Sequence, residues 1–178
     1  DQIASVLKKA REAGKASILV ALKGKCIGLV ALSDVLRPDA KEMVDKLEKM
    51  GTDVILLTGD NKQAASYFAE QAGIKNIYAE LLPGQKVEQI EKLQQEGRKV
   101  CMIGDGVNDA PALKTADVGV AMGSMGSDIA IEAADIALMG DEISKIPYLK
   151  KLSNSTLNTI KFNITLSMAI NFIAIGMS

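Results

Sequence analysis

One stretch constrains this chain more than any other: Val100-Cys-Met-Ile-Gly-Asp-Gly-Val-Asn-Asp-Ala-Pro-Ala-Leu113. Val100 to Ile103 reads as a buried strand, and Gly104 ends it where Asp105 and Asp109 follow. In an open parallel sheet the carboxyl ends of strands face the ligand crevice, so both acids are aimed there. Gly104 and Gly106 allow a tight turn and close approach to a ligand, and Asn108 adds a neutral polar group between the acids. Oxygen donors on such a tip suit Mg²⁺, which takes one or two carboxylates, waters and a substrate phosphate. A single Gly-Asp pair would read as an ordinary turn. Two acids, an Asn and two glycines on one loop point to a metal site instead.

The 178 residues, 48% of them hydrophobic, suffice for one sizeable α/β core and argue against disorder. A net charge of −1 and 3% aromatic residues leave neither a basic surface nor a stacking platform, so no nucleic-acid partner is expected. The chain has no histidine, which removes imidazole catalysis and ligation. Cys26 and Cys101 lie in apolar strand-like runs and are expected as small buried thiols. The chain begins at Asp1 and stops inside an apolar run, so both ends are expected to be cuts in a longer protein.

In chain order, the apolar spacing in residues 1–13 predicts a helix, and Ser17 to Leu22 with Cys26 to Leu32 predicts a hairpin around Lys23-Gly24-Lys25. Asp34 stands at a strand end, where a ligand or nucleophile and a capping or Arg37-paired acid are both open readings. A helix over 39–50 leads into a strand–helix alternation: a buried strand at 53–57, a polar turn at 58–61, helices at 62–72 and 87–96, the Val100 strand, a short helix at 110–115, and strands at 118–121 and 136–138 flanking a helix at 128–133. Such alternation with short turns is the pattern of a parallel sheet covered by helices. From Ile143 to Asn158 a polar helix is expected to leave the domain, and Phe162 to Ser178 carries no charge. Those 17 residues rise about 25 Å as a helix, short of a hydrocarbon core of about 30 Å, and read as an incomplete membrane span flanked by Lys150, Lys151 and Lys161.

Three strand-end loops are expected to converge: Thr58-Gly59-Asp60, Lys86 at a helix start, and Gly104 to Asp109. A hydroxyl, an ammonium and a Mg²⁺-binding acid pair are what a transferring phosphoryl group requires, because its catalysis is mostly positioning and charge neutralisation.

The segments Leu57-Thr58-Gly59-Asp60-Asn61, Leu82-Pro83-Gly84-Gln85-Lys86-Val87 and Gly104-Asp105-Gly106-Val107-Asn108-Asp109-Ala110-Pro111-Ala112-Leu113, with Asp34-Val35-Leu36-Arg37-Pro38, resemble the P-type ATPases within the haloacid-dehalogenase-like phosphotransferases. The resemblance runs nearly the whole chain. It implies a haloacid-dehalogenase-like Rossmannoid parallel sheet flanked by helices, with a C-terminal stalk and transmembrane helix. It implies residues 1–32 as the end of a nucleotide-binding domain and its return strands, 33–142 as the phosphorylation domain, 143–161 as the stalk, and 162–178 as a partial transmembrane helix. By the same resemblance Thr58, Gly59 and Lys86 hold phosphoryl oxygens, Asp60 and Asn108 complete the catalytic set, and Asp105 and Asp109 bind Mg²⁺. ATP is the implied cosubstrate. The region Gly123 to Leu138 and the approach Ser153 to Asn163 look most like the heavy-metal branch, zinc, cadmium and lead exporters ahead of copper ones, with residues 1–161 cytoplasmic.

Two departures accompany the resemblance. The Asp-Lys-Thr-Gly-Thr segment whose Asp the family phosphorylates does not occur here, so the chain is not expected to run the cycle unaided. Asn171 falls where the zinc and cadmium exporters carry a lysine, closer to the copper branch; as a polar group at membrane depth it fits either an ion path or a helix–helix hydrogen bond. Two other readings remain open: a freestanding phosphatase of this fold with Asp34 as nucleophile, and a non-catalytic module binding Mg²⁺ or phosphate.

Overall fold

The computed structural model describes residues 5–7, 16–32, 35–104, 107–123, 128–140 and 142–176. Asp34, Asp105, Gly106 and most of the helix expected over 1–13 lie outside the described residues; of that helix, Ser5 to Leu7 are helical. The chain divides into two units, Asp1–Glu142 and Ile143–Ser178.

In the first unit, β1 (Ala16–Leu22) and β2 (Lys25–Leu32) form the antiparallel hairpin the turn chemistry predicts. Lys23 and Gly24 both take positive φ, 48° and 77°, as a tight two-residue turn with the right twist demands. Helix α1 (Ala40–Lys49) buries Ala40, Val44 and Leu47 at helical spacing. Helix α2 (Lys62–Ala72) follows β3 (Ile55–Leu57). It is capped by Asn61, whose side chain accepts the Ala64 N–H, and stopped by Gly73 at φ 80°. Its buried face is Ala65, Ala69 and Ala72. After β4 (Asn76–Tyr78), helix α3 spans Pro83–Gln95. It starts earlier than the apolar periodicity suggests, because Pro83 suits the first helical position and the Gln85 side chain accepts the Leu82 N–H at 2.9 Å.

Strand β5 (Cys101–Gly104), a 3₁₀ turn (Val107–Asp109), α4 (Ala110–Thr115), β6 (Val118–Met122), α5 (Asp128–Ala133) and β7 (Ile136–Leu138) complete the unit. The alternation yields parallel sheets flanked by helices, in two pieces: β3 with β4, and β5-β6-β7. β6 is paired on both sides and buries Gly119 through Met122, as a central parallel strand should. The core joins Ile90 of α3, Met102 of β5, Ala112 and Leu113 of α4, Ala121 of β6 and Ala130 of α5, and Leu57 of β3 packs against it.

Two expectations of burial fail here. β3 is three half-buried residues rather than a buried strand over 53–57, and Cys26 and Cys101 are both exposed. β5 and β3 are each paired on one side only among the described residues, and the hairpin is a two-stranded ribbon, so each of these apolar runs leaves a strand edge unpaired there.

In the second unit the polar exit and the apolar run form one continuous helix, α6 (Lys145–Gly176), long and apolar enough to cross a membrane. Its residues from Lys151 to Gly176 are exposed. The hydroxyls of Thr156, Thr159 and Thr165 donate to the carbonyls of Leu152, Ser155 and Lys161, which satisfies these donors within the helix itself.

Candidate phosphate and magnesium site

The site is built on the carboxyl ends of β3 and β5 and the amino end of α3. After β3, the Thr58 hydroxyl donates to Asp60 Oδ2 at 2.9 Å, and the Asp60 N–H donates back to the Thr58 hydroxyl at 3.1 Å. The neighbouring crossover buttresses this turn: Thr58 N–H donates to the Tyr78 carbonyl, Glu80 N–H to the Asp60 carbonyl and Leu81 N–H to the Thr58 carbonyl. Glu80 sits at φ 60°, the left-handed region, to make that docking possible. Gly59 keeps the two loops close, since a Cβ there would lie 3.3 Å from the Leu81 carbonyl oxygen. Leu81 directly precedes the Leu82-Pro83 start of α3, so the Thr58 loop is tied to the helix that carries Lys86 one turn on.

Lys86 and Asp109 meet. Lys86 Nζ lies 2.7 Å from Asp109 Oδ1, with the two side chains only 14% and 15% exposed. Asp109 occupies the N-cap position of α4 but its side chain makes no capping bond, so the carboxylate is directed to the lysine rather than to its own helix. Gly104 creates the space for it: a Cβ there would stand 2.8 Å from Asp109 Cβ and 3.0 Å from its Oδ2. Asn108 is exposed on the 3₁₀ turn. Thr58 is half-buried, while Gly59 and Asp60 are exposed. No group of three or more Asp, Glu, Cys or His side chains gathers as a metal cluster among the described residues. Asp109 Oδ2 turns toward the Gly104 end of β5, and a carboxylate oxygen there is of the kind that a hard cation such as Mg²⁺ takes along with waters and phosphate oxygens.

Supporting residues that the motifs do not reveal lie at the opposite end of β5. Asp117 accepts from Lys99 Nζ at 2.7 Å, the Val100 N–H at 3.0 Å and Gln94 Nε2 at 3.1 Å. The Lys99 hydrogen bond, then the Val100 N–H and Gln94, hold its carboxyl well below the usual carboxylate range. The cluster joins the end of α3 to the starts of β5 and β6. Asp135 accepts the Gly119 N–H at 2.8 Å and returns its own N–H to the Gly119 carbonyl at 2.9 Å. An acid just ahead of each apolar strand, Asp117 and Asp135, was the available signal. Asn171 lies in the second unit, exposed on α6 on one face with Asn163 and Ser167.

Residues 2–117 match the family model for haloacid dehalogenase-like hydrolases. A probable cadmium-transporting ATPase of Alkalihalophilus pseudofirmus is 46% identical over 163 residues, 91% of this chain and 22% of that protein. Copper-transporting ATPase 2 of Mus musculus is 44% identical over 162 residues, 91% of this chain and 11% of that protein. The crystal structure of a zinc-transporting PIB-type ATPase in the E2.Pi state superposes with a TM-score of 0.83 at 38% identity, covering 94% of this chain and 27% of that one. The chain thus spans about a fifth or less of the length of these curated relatives. With its matched segment reaching across the Thr58 loop, Lys86 and the acidic loop, this chain belongs to the haloacid dehalogenase-like hydrolase family, and its relatives there are heavy-metal-transporting P-type ATPases.

Proposed function

We propose that this chain is the carboxyl-terminal part of the phosphorylation domain, with stalk and membrane helix, of an ATP-driven heavy-metal exporter. The observation that carries the reading is the Lys86–Asp109 pair at the end of β5, bound through α3 to the Thr58 loop, in a chain that continues into a helix able to cross a membrane. Thr58, Gly59 and Lys86 receive the phosphoryl oxygens, Asp60 orients the Thr58 hydroxyl, Asn108 adds a polar contact, and Asp105 with Asp109 holds Mg²⁺. Mg²⁺, when bound, neutralises phosphoryl charge. The free edges that β3 and β5 show among the described residues leave room for a further parallel strand, and a strand bearing the acceptor Asp fits there, since Leu57 and Met102 already share one core. Residues 1–32 belong to a nucleotide-binding domain in this reading, 143–161 form the stalk, and 162–178 enter the membrane with residues 1–161 on the cytoplasmic side, in keeping with Lys150, Lys151 and Lys161 as flanking charges. The transported ion is zinc, cadmium or lead ahead of copper. Asn171, with Asn163 and Ser167, offers oxygen atoms to the ion path or to an adjoining helix.

The test is metal-stimulated ATP hydrolysis by the complete protein in proteoliposomes. Zinc or cadmium should stimulate it, and Asp105→Ala should abolish both stimulation and Mg²⁺ binding. Unchanged Mg²⁺ titrations in Asp105→Ala would remove the magnesium assignment, and phosphate release from simple esters without any metal dependence would favour a freestanding phosphatase.

A further inference from the structure

Helix α6 presents two chemically different faces. From Ile143 onward the only charged residues are Lys145, Lys150, Lys151 and Lys161, with no acid among them, so this unit attracts anions. Lys161 is the last of the four and directly precedes the charge-free run, which in a membrane puts its ammonium at the level of the lipid headgroups. Asn158 stands about 4.5 Å further up the axis on the same side, within a headgroup layer of about 5–7 Å. Below Lys161 that side continues through Thr165 to Met168, Phe172 and Ile175, all within about 40° of it. The last three are 55%, 72% and 75% exposed, and the Thr165 hydroxyl is already spent on the Lys161 carbonyl at 2.9 Å. Lys161 to Phe172 spans about 16 Å, the depth of one leaflet's acyl chains in a core of about 30 Å. Asn163 and Ser167 line a hollow on the other side, turned about 160° and 120° from Lys161. Polar groups at hydrocarbon depth face protein or water, which leaves the Lys161–Phe172 face to lipid.

Resting on the membrane-helix reading above, we propose that this face of α6 is a binding site for one anionic phospholipid of the cytoplasmic leaflet. Lys161 and Asn158 hold the headgroup phosphate, and Met168, Phe172 and Ile175 carry an acyl chain. A zwitterionic lipid brings an ammonium of its own that repels Lys161, and no acid on this helix offsets that repulsion, so the site selects net negative charge.

The test is photocrosslinking of the complete protein, carrying p-benzoylphenylalanine in place of Phe172, in phosphatidylcholine vesicles with a minority of phosphatidylglycerol; mass spectrometry identifies the adducts. Phosphatidylglycerol should be enriched among them by about fivefold over its share of the bilayer, the value of one lysine at the membrane surface. Lys161→Met should return the adducts to the bulk ratio, and Lys161→Arg should keep the enrichment. Lys151→Met removes the same charge about 15 Å further from the membrane, beyond a Debye length of about 8–10 Å, and should leave the enrichment within about twofold. Adducts at the bulk ratio, an unchanged enrichment in Lys161→Met or an equal fall in Lys151→Met each overturn the site. Adducts to protein in place of lipid overturn it as well, since another helix then covers this face. All of these leave the membrane-helix reading standing. Protein that carbonate strips from the vesicles overturns the site and that reading together.

Discussion

Strand β6 and the β1–β2 hairpin both draw on valine, alanine and glycine, and come to opposite ends. In β6 the residues from Gly119 to Met122 are buried, because β5 and β7 pair with both edges and α4 lies across Gly119. In the hairpin, Ile18, Leu19, Val20, Leu22, Ile27 and Val30 are all 41–62% exposed, with consecutive residues pointing to opposite faces. Apolar character sets the demand for burial, and neighbours decide whether it is met. Six large exposed aliphatic side chains on a two-stranded ribbon are far more than a free hairpin needs, and this suits a sheet that other segments complete.

The largest effect that separates the two regions should come from truncating matched side chains. Leu113→Ala, at a residue with no exposed surface, should cost about 2–5 kcal/mol, whereas Ile18→Ala, 54% exposed, should cost well under half of that; urea melts of the two variants check it. Comparable losses would mean that the hairpin is packed in solution. A smaller contrast is expected from adding one methyl group. A Cβ on Gly119 would lie 2.5 Å from the Leu113 carbonyl oxygen, which is backbone and unable to step aside, so Gly119→Ala should destabilise by about 1–3 kcal/mol. Gly28→Ala in β2 meets nothing within 4 Å and should change stability by less than about 0.5 kcal/mol.

The polar clamp beneath the sheet gives a pH-dependent contrast. Because Lys99, Val100 and Gln94 depress the Asp117 pKa in the folded protein, its contribution is complete above the unfolded carboxylate value of about 3.9 and is lost as pH falls from there through the lower folded value. Wild type should therefore melt above Asp117→Asn at neutral pH, with the gap closing as the solution is acidified below about 4. A gap that stays constant into acid would show that the charge on Asp117 is not what matters. The mildest test is thiol labelling without denaturant: Cys26 and Cys101 are both exposed and should both react with a thiol reagent, and protection of Cys26 would again place a cover on the hairpin.

Much of this was legible in the residues. Asn61 and Gly73 mark the ends of α2, Lys23-Gly24 marks the hairpin turn, and the strand–helix alternation marks a parallel α/β core. Those signals are local, since a cap or a turn is decided within a few residues of itself. Periodicity does not mark the start of α3 at Pro83, because the helix opens on a proline and a capping Gln85 rather than on its apolar stripe. Cys101 is exposed although its run is apolar, because an apolar run does not say which of its faces is covered. At the site, the identities of Thr58, Lys86 and Asp109 were readable from their motifs, but the pairing of Lys86 with Asp109 across 23 positions was not.

The sequence by itself determined which groups stand at the ends of β3 and β5, where α2 begins and ends, and that an uncharged run of helical length follows the core, because these depend on backbone preferences and on periodicity along the chain. Only the tertiary structure decided that the Asp109 carboxylate abandons its own helix for Lys86, that Gly104 must lack a side chain to admit it, and that β6 rather than the hairpin is buried. Those outcomes depend on which surfaces meet at distances of a few ångströms, and charge pairing and close packing have no counterpart in the order of residues until the chain is folded.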